Sequence, residues 1–232
     1  MTSPALISVV IPAYNEERFI GRLLDQIQRV DLSTVNCHLE VIVVDDGSKD
    51  GTADIVAGVP GVTLLRQPNG GKGSAVRAGI GAATGDYVLI QDADLEYDPR
   101  DYVPMLEAMR QGETVVYGSR YLAHRGPYPN QSLMAYLGGI SLSAVCKMLT
   151  GRWLTDTVTA YKLFPRALLL DLSLETSGFE LDHEISAKVL ARGHDIREVP
   201  IRYQPRSRKD GKKIGARDWV IAVRTLARWR RG

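Results

Sequence analysis

The residues best suited to chemistry are three acids, Asp92, Asp94 and Glu96, at alternate positions after the apolar run 87–90. Three carboxylates this close repel one another unless something positive lies among them, and a hard divalent cation with oxygen ligands meets that need. An EF-hand is excluded, because its glycine and glutamate positions hold Tyr97 and Val103 here. The pattern favours Mg²⁺ or Mn²⁺ bound together with substrate phosphates. The alternative is a turn that stabilises the start of the next helix.

Two further polar clusters follow other predicted strands. Asp45 and Asp46 close a strand, where an acid can accept a hydrogen bond from a ribose hydroxyl or a base N–H, or cap a helix. The glycines around Lys72, in the run 70–73, allow a close backbone approach, and the helix that follows favours an anion at its start. Their spacing matches neither the dinucleotide nor the P-loop fingerprint, which argues against an NAD-linked oxidoreductase.

The C-terminal part of the chain is strongly basic. Residues 200–232 hold 11 Lys/Arg and 2 Asp/Glu, whereas residues 1–199 hold 18 and 25, although the net charge is only +2. The basic residues around Gly211 could fold over a diphosphate or form a solvated loop. Residues 216–231 predict a basic amphipathic helix that contacts either a membrane surface or the protein itself. The loop residues are Arg206, Arg208, Lys209, Lys212 and Lys213.

The order of the predicted elements indicates an α/β fold. Buried strands and amphipathic helices alternate through residues 1–118, which predicts a mostly parallel sheet with helices on both faces. In such sheets ligands bind beyond the carboxyl ends of the strands, where the polar clusters above lie. We expect one domain over 1–232, with a nucleotide-sugar half (1–118), an acceptor half (119–215) and the basic helix (216–232).

Composition places the protein among ordinary globular chains. The 44% hydrophobic and 24% charged content excludes a disordered or collagenous protein. Two cysteines are too few for a disulfide framework, the start of the chain does not resemble a signal peptide, and the longest uncharged apolar stretch, 133–146, is short for a membrane span. We therefore expect a cytoplasmic protein. The four histidines show no metal-ligand spacing, which favours structural or surface roles.

Several motifs together identify a family resemblance. The chain contains, in order, SVVIPAYNEE, VIVVDDGSKDGT, PNGGKGSA, GDYVLIQDADLE, VVYGSR, TDTVTAYKLF, SGFELDHEI and GKKIG. This set resembles family 2 glycosyltransferases, and within them the polyprenyl- or dolichyl-phosphate mannose and glucose synthases. The resemblance covers residues 5 to about 220 and implies the GT-A fold.

The resemblance also implies roles for individual residues. Asp92, Asp94 and Glu96 would hold the metal, and Arg120 would bind the acceptor phosphate. Arg206 and Lys212 would bind the diphosphate, and Lys72 would lie at the donor site. The residues implied at the nucleoside are Pro12, Tyr14, Glu16, Val44, Asp46 and Ala93.

The implied activity is metal-dependent transfer of a hexose, with inversion, from a nucleotide diphosphate sugar to a polyprenyl phosphate. GDP-mannose is the favoured donor and UDP-glucose the other candidate. The partners would be the donor, the lipid acceptor and the inner face of the cytoplasmic membrane, with no nucleic acid. If the acceptor is instead a small hydroxyl compound, a general base is needed, and Asp182 and Glu184 are the candidates. A further alternative is a non-catalytic nucleotide-sugar-binding subunit.

Overall fold

The structure is a computed structural model that describes residues 3–129, 131–206 and 216–230. It contains seven strands and eight α-helices in these ranges. The strands are β1 Ala5–Ala13, β2 Cys37–Asp45, β3 Val62–Arg66, β4 Tyr87–Ile90, β5 Val115–Ser119, β6 Lys162–Pro165 and β7 Ile196–Pro200. The helices are α1 Ile20–Gln28, α2 Thr52–Ala57, α3 Lys72–Ala82, α4 Tyr102–Arg110, α5 Leu133–Thr150, α6 Arg166–Asp171, α7 Leu181–Ala191 and α8 Ala216–Trp229.

All seven strands form one sheet, in the order β3-β2-β1-β4-β6-β5-β7. The central strand β1 pairs in parallel with β2 and β4, and its Val9 and Val10, which point to opposite faces, are both fully buried. A strand covered on both faces reads as a continuous apolar run, which is why β1 could be predicted from sequence. The sheet is mostly parallel, as predicted, but β6 runs antiparallel between β4 and β5.

Helices cover both faces of this sheet, which confirms the predicted α/β class. On one face α1 contributes Leu23 and Leu24, and α4 contributes Met105, to a core cluster. On the other face α3, α7 and α8 pack together around residues such as Ile185 and Leu226. The apolar positions on α1 recur at three- and four-residue spacing, the pattern of a helix that buries one side.

The observed elements differ from the predicted ones in several places. The apolar spacing in residues 16–30 predicts a helix from residue 16, whereas α1 begins at Ile20, because residues 14–19 form turns beside the loop after β2. The short helix α6 was not predicted. The apolar pattern of residues 196–203 predicts one strand, but β7 ends at Pro200, and beyond it Tyr203 makes an isolated antiparallel bridge to Tyr97.

Helix α5 is mostly exposed. Its 18 residues have a mean hydropathy of 1.4, and only 17% of them are buried. The uncharged run 133–146 is part of this helix, and by length and composition alone the whole helix qualifies as a candidate membrane span. The apolar stripe predicted on α8 packs largely on the protein: Ala222 and Leu226 are buried, and the half-buried ring of Trp229 lies 3.9 Å from Lys188 Nζ.

Candidate active site

The site lies at the edge of the sheet where parallel strands β1, β2 and β4 end together. The loops that follow β1 and β2 are joined by side chains at this edge. The backbone N–H of Asn15 donates to Ser48 Oγ at 2.9 Å, and the N–H of Lys49 donates to Asn15 Oδ1 at 2.8 Å. These bonds hold the loop after β1 against the loop after β2, which follows the predicted cluster at Asp45 and Asp46.

The acidic triplet follows β4 in a tight turn. Leu95, between two of the acids, has a φ of 59°, a left-handed conformation that a leucine rarely adopts. The backbone N–H of Glu96 donates to Asp94 Oδ1 at 3.1 Å across this turn. The turn lets the carboxylates of Asp94 and Glu96 approach the same guanidinium, that of Arg206.

Arg206 connects three acids from two loops. Its Nη2 lies 2.8 Å from Asp94 Oδ2, its Nη1 lies 3.3 Å from Glu16 Oε2, and its backbone N–H donates to Glu96 Oε1 at 2.8 Å. Glu96 also accepts a hydrogen bond from the hydroxyl of Tyr203 at 2.9 Å. Arg206 therefore supplies a positive charge from the protein itself beside the triplet.

The first acid of the triplet has a different cation. Lys72 Nζ lies 2.9 Å from Asp92 Oδ1 and 3.3 Å from Asp182 Oδ2. Burial lowers the pKa of Lys72, but the charges of Asp182 and Asp92 outweigh burial, so the pKa is raised and the lysine stays protonated. Lys72 therefore links the acidic turn after β4 to helix α7.

The glycine-rich run before α3 is shaped by contacts within the protein. The N–H groups of Gly70 and Gly71 donate to the two carboxylate oxygens of Asp46 at 2.9 and 2.8 Å. A Cβ on Gly73 would lie 2.8 Å from the Thr176 carbonyl oxygen, and the Ser74 N–H donates to the Ser177 carbonyl at 3.0 Å. The close approach predicted for these glycines is thus to their own chain. The role of Asp46 at a nucleoside stays a prediction.

The other residues implied at the nucleoside lie around the same edge. Pro12 and Tyr14, at the end of β1 and just after it, are partly exposed. Ala93 is buried in the acidic turn, and the Val44 side chain is fully buried in a core cluster. The role of Val44 at a nucleoside stays a prediction.

Arg120, the residue implied at the acceptor, is buried and held by Asp156. Its Nε and Nη2 lie 2.6 and 2.7 Å from the two oxygens of Asp156, a bidentate pair. Its guanidinium also lies 5.0 Å from the ring centroid of Tyr203, whose hydroxyl bonds to Glu96. Tyr203 therefore lies between the acidic turn and Arg120.

Neither candidate general base is well placed to accept a proton. Asp182 lies in ion pairs with Lys162 and Lys72; burial alone would raise its pKa, but these cations lower it to about 2. Glu184 is fully buried, where it accepts hydrogen bonds from the backbone N–H groups of Glu175 and Thr176. Glu184 holds the loop before α7 in place.

Some site residues were not found from the sequence, and most of the predicted basic loop cannot be placed. Arg208, Lys209, Lys212 and Lys213 lie outside the described residues. Asp156 and Lys162 were missed, because an acid and a lysine in the run 155–162 carry no spacing that distinguishes them from surface charges. Tyr203 was missed because it read as part of a strand.

The argument for a divalent cation at the acidic turn rests on the chemistry of its side chains. In the parts of the chain that the structure describes, no three His, Cys, Asp or Glu side chains come together as a metal-binding group. The negative charge of the Asp94 carboxylate is nevertheless only partly balanced by the positive charge of Arg206. Burial, together with the negative charges of Asp92 and Glu96, raises its pKa to about 7 even though Arg206 acts in the opposite direction. A hard cation would relieve this repulsion, and carboxylate oxygens suit Mg²⁺ or Mn²⁺.

Comparison with known proteins shows what the chain is similar to. The model for "Glycosyl transferase family 2" matches residues 8–172. A dolichyl-phosphate hexose transferase of Haloferax volcanii is 32% identical over 202 residues, 87% of this chain and 84% of that protein. A dolichol-phosphate mannosyltransferase of Pyrococcus furiosus is 26% identical over 96% of this chain. The chain spans 64% of the length of the latter and 65% of a second Haloferax volcanii relative, glycosyltransferase AglJ.

Solved structures share the architecture. Glucosyl-3-phosphoglycerate synthase from Mycobacterium tuberculosis, in complex with Mn²⁺, UDP and glucosyl-3-phosphoglycerate, superposes with a TM-score of 0.65. It is 24% identical and the match covers 89% of this chain and 74% of that one. At that identity the likeness establishes the fold and leaves substrates open.

Proposed function

The chain belongs to glycosyltransferase family 2 and has the GT-A fold, and on that basis we propose that it transfers a hexose from a nucleotide diphosphate sugar to a polyprenyl phosphate. The observation that carries the proposal is the arrangement around Arg206. One guanidinium gathers acids from the loops after β1 and β4, at the sheet edge where such folds bind ligands. The division into a donor half (1–118), an acceptor half (119–215) and a basic helix (216–232) belongs to the same proposal.

The donor is bound at this edge. Arg206 and Lys72 are the described cations beside the acidic turn, and both can offset the charge of a diphosphate. Mannose from GDP-mannose is the favoured sugar, because a named relative is a mannosyltransferase, and UDP-glucose is the other candidate. Lys212 is proposed to assist at the diphosphate on the strength of the resemblance alone.

A divalent cation is proposed at the same place. Asp92 and Asp94 would hold Mg²⁺ or Mn²⁺ with the donor diphosphate, while Glu96 is also bonded to Tyr203 and the backbone of Arg206. When bound, such an ion stabilises the negative charge that develops on a leaving diphosphate.

The acceptor side favours a phosphate nucleophile. An oxygen of the acceptor phosphate attacks the anomeric carbon, the bond from that carbon to the nucleotide diphosphate breaks, and the configuration inverts. A phosphate monoester is already anionic, so no general base is needed. This agrees with the contacts of the two candidate bases, since Asp182 is paired with lysine and Glu184 accepts backbone hydrogen bonds. Arg120 is proposed to orient that phosphate, on the basis of the family resemblance, with its guanidinium held by Asp156.

A membrane surface would deliver a lipid acceptor, and α5 is proposed as the contact. Its apolar side chains Leu133, Met134 and Leu137 are exposed, and the exposed Trp219 of α8 lies beside it, with its Nε1 donating to Ser141 Oγ at 2.8 Å. Arg217 and Arg224 on α8 are exposed and would attract anionic lipid headgroups. A peripheral location on the inner face of the cytoplasmic membrane follows from this proposal.

One experiment tests donor, acceptor and metal together. Purified protein is incubated with radiolabelled GDP-mannose or UDP-glucose, with and without Mn²⁺, and with either a polyprenyl phosphate in detergent or water-soluble 3-phosphoglycerate. We expect label in the organic phase only with the lipid acceptor and the metal. Label transferred solely to 3-phosphoglycerate would show that the acceptor is water-soluble and not a lipid. Transfer that persists in EDTA would refute the proposed requirement for a metal.

A further inference from the structure

A line of four alternating charges extends from the acidic turn into the protein. Asp92 Oδ1 lies 2.9 Å from Lys72 Nζ, which lies 3.3 Å from Asp182 Oδ2, and Asp182 Oδ1 lies 2.6 Å from Lys162 Nζ. The four residues come from four places: the loop after β4, the start of α3, the first turn of α7 and the start of β6. The line therefore ties the position of Asp92 to three other elements.

The inner end of this line is deeply buried. The Lys162 side chain is fully buried and also donates to the Thr159 carbonyl oxygen. Burial lowers the pKa of Lys162, and the negative charge of Asp182 opposes that effect. Asp182 in turn has two cations, Lys162 on one oxygen and Lys72 on the other.

Buried ion pairs are a poor way to gain stability. Removing charges from water costs about as much as their attraction returns, and apolar side chains of similar volume often stabilise a protein more. What a fixed line of charges provides is a defined position for its last member. Here the last member is Asp92, one of the three acids of the acidic turn, whose side chain is only partly buried.

The neighbouring backbone supports a fixed geometry. The Ser74 N–H donates to the Ser177 carbonyl at 3.0 Å, which holds the start of α3 against the loop before α7. Lys72 and Asp182 stand on the two elements joined in this way. Their separation is therefore set by the main chain as well as by their charges.

We propose that Lys162 and Asp182 are positioning residues, which hold Lys72 so that it orients the Asp92 carboxylate for binding of metal and diphosphate. This inference rests on the proposed function of the acidic turn. Among the described residues, loss of Lys162 leaves Asp182 with Lys72 as its one ion-pair partner, which draws Lys72 away from Asp92. Loss of both Lys162 and Asp182 leaves Lys72 bound to Asp92 alone, where it competes with the metal.

Two variants and a control test the inference. Lys162→Met removes the buried cation, and the pair Lys162→Met with Asp182→Leu replaces both charges by apolar groups. Lys188→Met is the control, because Lys188 forms an equally buried pair on the same helix, 2.6 Å from Glu184, without touching Lys72 or Asp92. The measurements are the melting temperature and the dissociation constant of Mn²⁺, from EPR of free Mn²⁺ with UDP or GDP present.

The expected pattern separates positioning from folding. Lys162→Met should lower both the melting temperature and the Mn²⁺ affinity, the latter by about tenfold, as for other outer-shell changes around metals. The double variant should regain melting temperature but not affinity. Lys188→Met should lower the melting temperature alone.

Two results would overturn the inference in different ways. If wild type binds Mn²⁺ and the affinity of the double variant recovers with its melting temperature, the pair is merely structural and the proposed function stands. If wild type binds no Mn²⁺ with either nucleotide, the metal assignment itself fails, and the positioning role fails with it.

Discussion

The Asp94 carboxylate and the Arg206 guanidinium, 112 residues apart in the chain, meet at 2.8 Å. The contact joins the turn after β4 to the segment that follows β7. It gives the acidic triplet a cation that belongs to the protein, and it leaves the pKa of Asp94 raised all the same, since burial and two neighbouring acids act against Arg206. A divalent cation bound at this turn would offset the repulsion among the three acids.

Asp94→Asn should abolish turnover without unfolding the protein. The change removes one charge from the proposed metal ligands, which we expect to cost at least about 3 kcal/mol of transition-state stabilisation, or about 100-fold in rate. Its melting temperature should equal or exceed that of wild type, because the change relieves repulsion from Asp92 and Glu96. Transfer of labelled sugar and thermal melting measure the two effects.

A nearby acid supplies the control for that variant. Asp98 caps the turn at Pro99 by accepting from the Arg100 N–H at 3.0 Å, outside the contacts of Arg206. Asp98→Asn should keep full turnover. Near-normal turnover of Asp94→Asn in saturating Mg²⁺ or Mn²⁺ would refute the metal assignment.

Gly73→Ala should destabilise the protein by about 2 kcal/mol, a typical cost of overpacking. A Cβ at this position would lie 2.8 to 2.9 Å from backbone atoms of residues 176–178, which cannot move as a flexible side chain would. Urea unfolding measures the loss.

Gly81→Ala is the matched substitution on the same helix. A Cβ on Gly81 would meet no atom within 4 Å, so alanine should stabilise α3 by about 0.5 kcal/mol or more through helix propensity. Equal effects of the two changes would mean that the glycine run is not a packing site.

His183 should make the protein less stable as the pH falls. Burial lowers its pKa to about 4, so the unfolded chain, with a pKa near 6.5, binds the proton more readily. The contribution of His183 to the free energy of unfolding should therefore be fully present above pH 6.5. It should fall by about 3 kcal/mol as the pH is lowered towards 4.

His183→Met isolates that contribution. Asp94 acts with the opposite sign, because its pKa is raised, but it is present in both proteins and cancels in their difference. The free energy of unfolding of the variant, relative to wild type, should rise between pH 7.5 and 5. A difference that is constant over this range would contradict a neutral buried imidazole.

The part of the fold in which strands and helices alternate regularly could be predicted from sequence. The strand pairings between segments that are far apart in the chain could not. Strand β1 is apolar except for Ser8, and α1 shows helical spacing, so a short window of sequence suffices to predict each. The antiparallel insertion of β6 between β4 and β5 depends on contacts across the chain, such as Leu89 with Leu163. No local pattern in residues 162–165 specifies that neighbour.

The same distinction applies to the site. The acids after β4 stand out because their clustering is costly, whichever cation offsets it. The identity of the cations could not be derived, since Arg206 lies in a basic segment where several residues look equivalent. Lys162 carries no signal at all, because a lone lysine in a strand is usually a surface residue.

Helix α5, rather than α8, should govern membrane binding. On α8 the apolar residues Ala222 and Leu226 are buried, and Trp229 is covered by Lys188, so removing the end of that helix would mainly disturb packing. On α5 the exposed fractions of Leu133, Met134 and Leu137 are 60%, 79% and 49%, so their substitution by serine leaves the core intact.

The triple serine variant should bind anionic vesicles at least about tenfold more weakly in sedimentation, because burial of even one of the three apolar side chains contributes about 1.5 kcal/mol, which corresponds to about tenfold in affinity. Wild-type binding should also weaken with added salt, because the exposed arginines of α8 act through screened charge. Leu170→Ser, at an exposed leucine of α6, is the matched control and should bind like wild type. If wild type ignores anionic vesicles at low salt, α5 is not a membrane contact and a water-soluble acceptor becomes the better hypothesis.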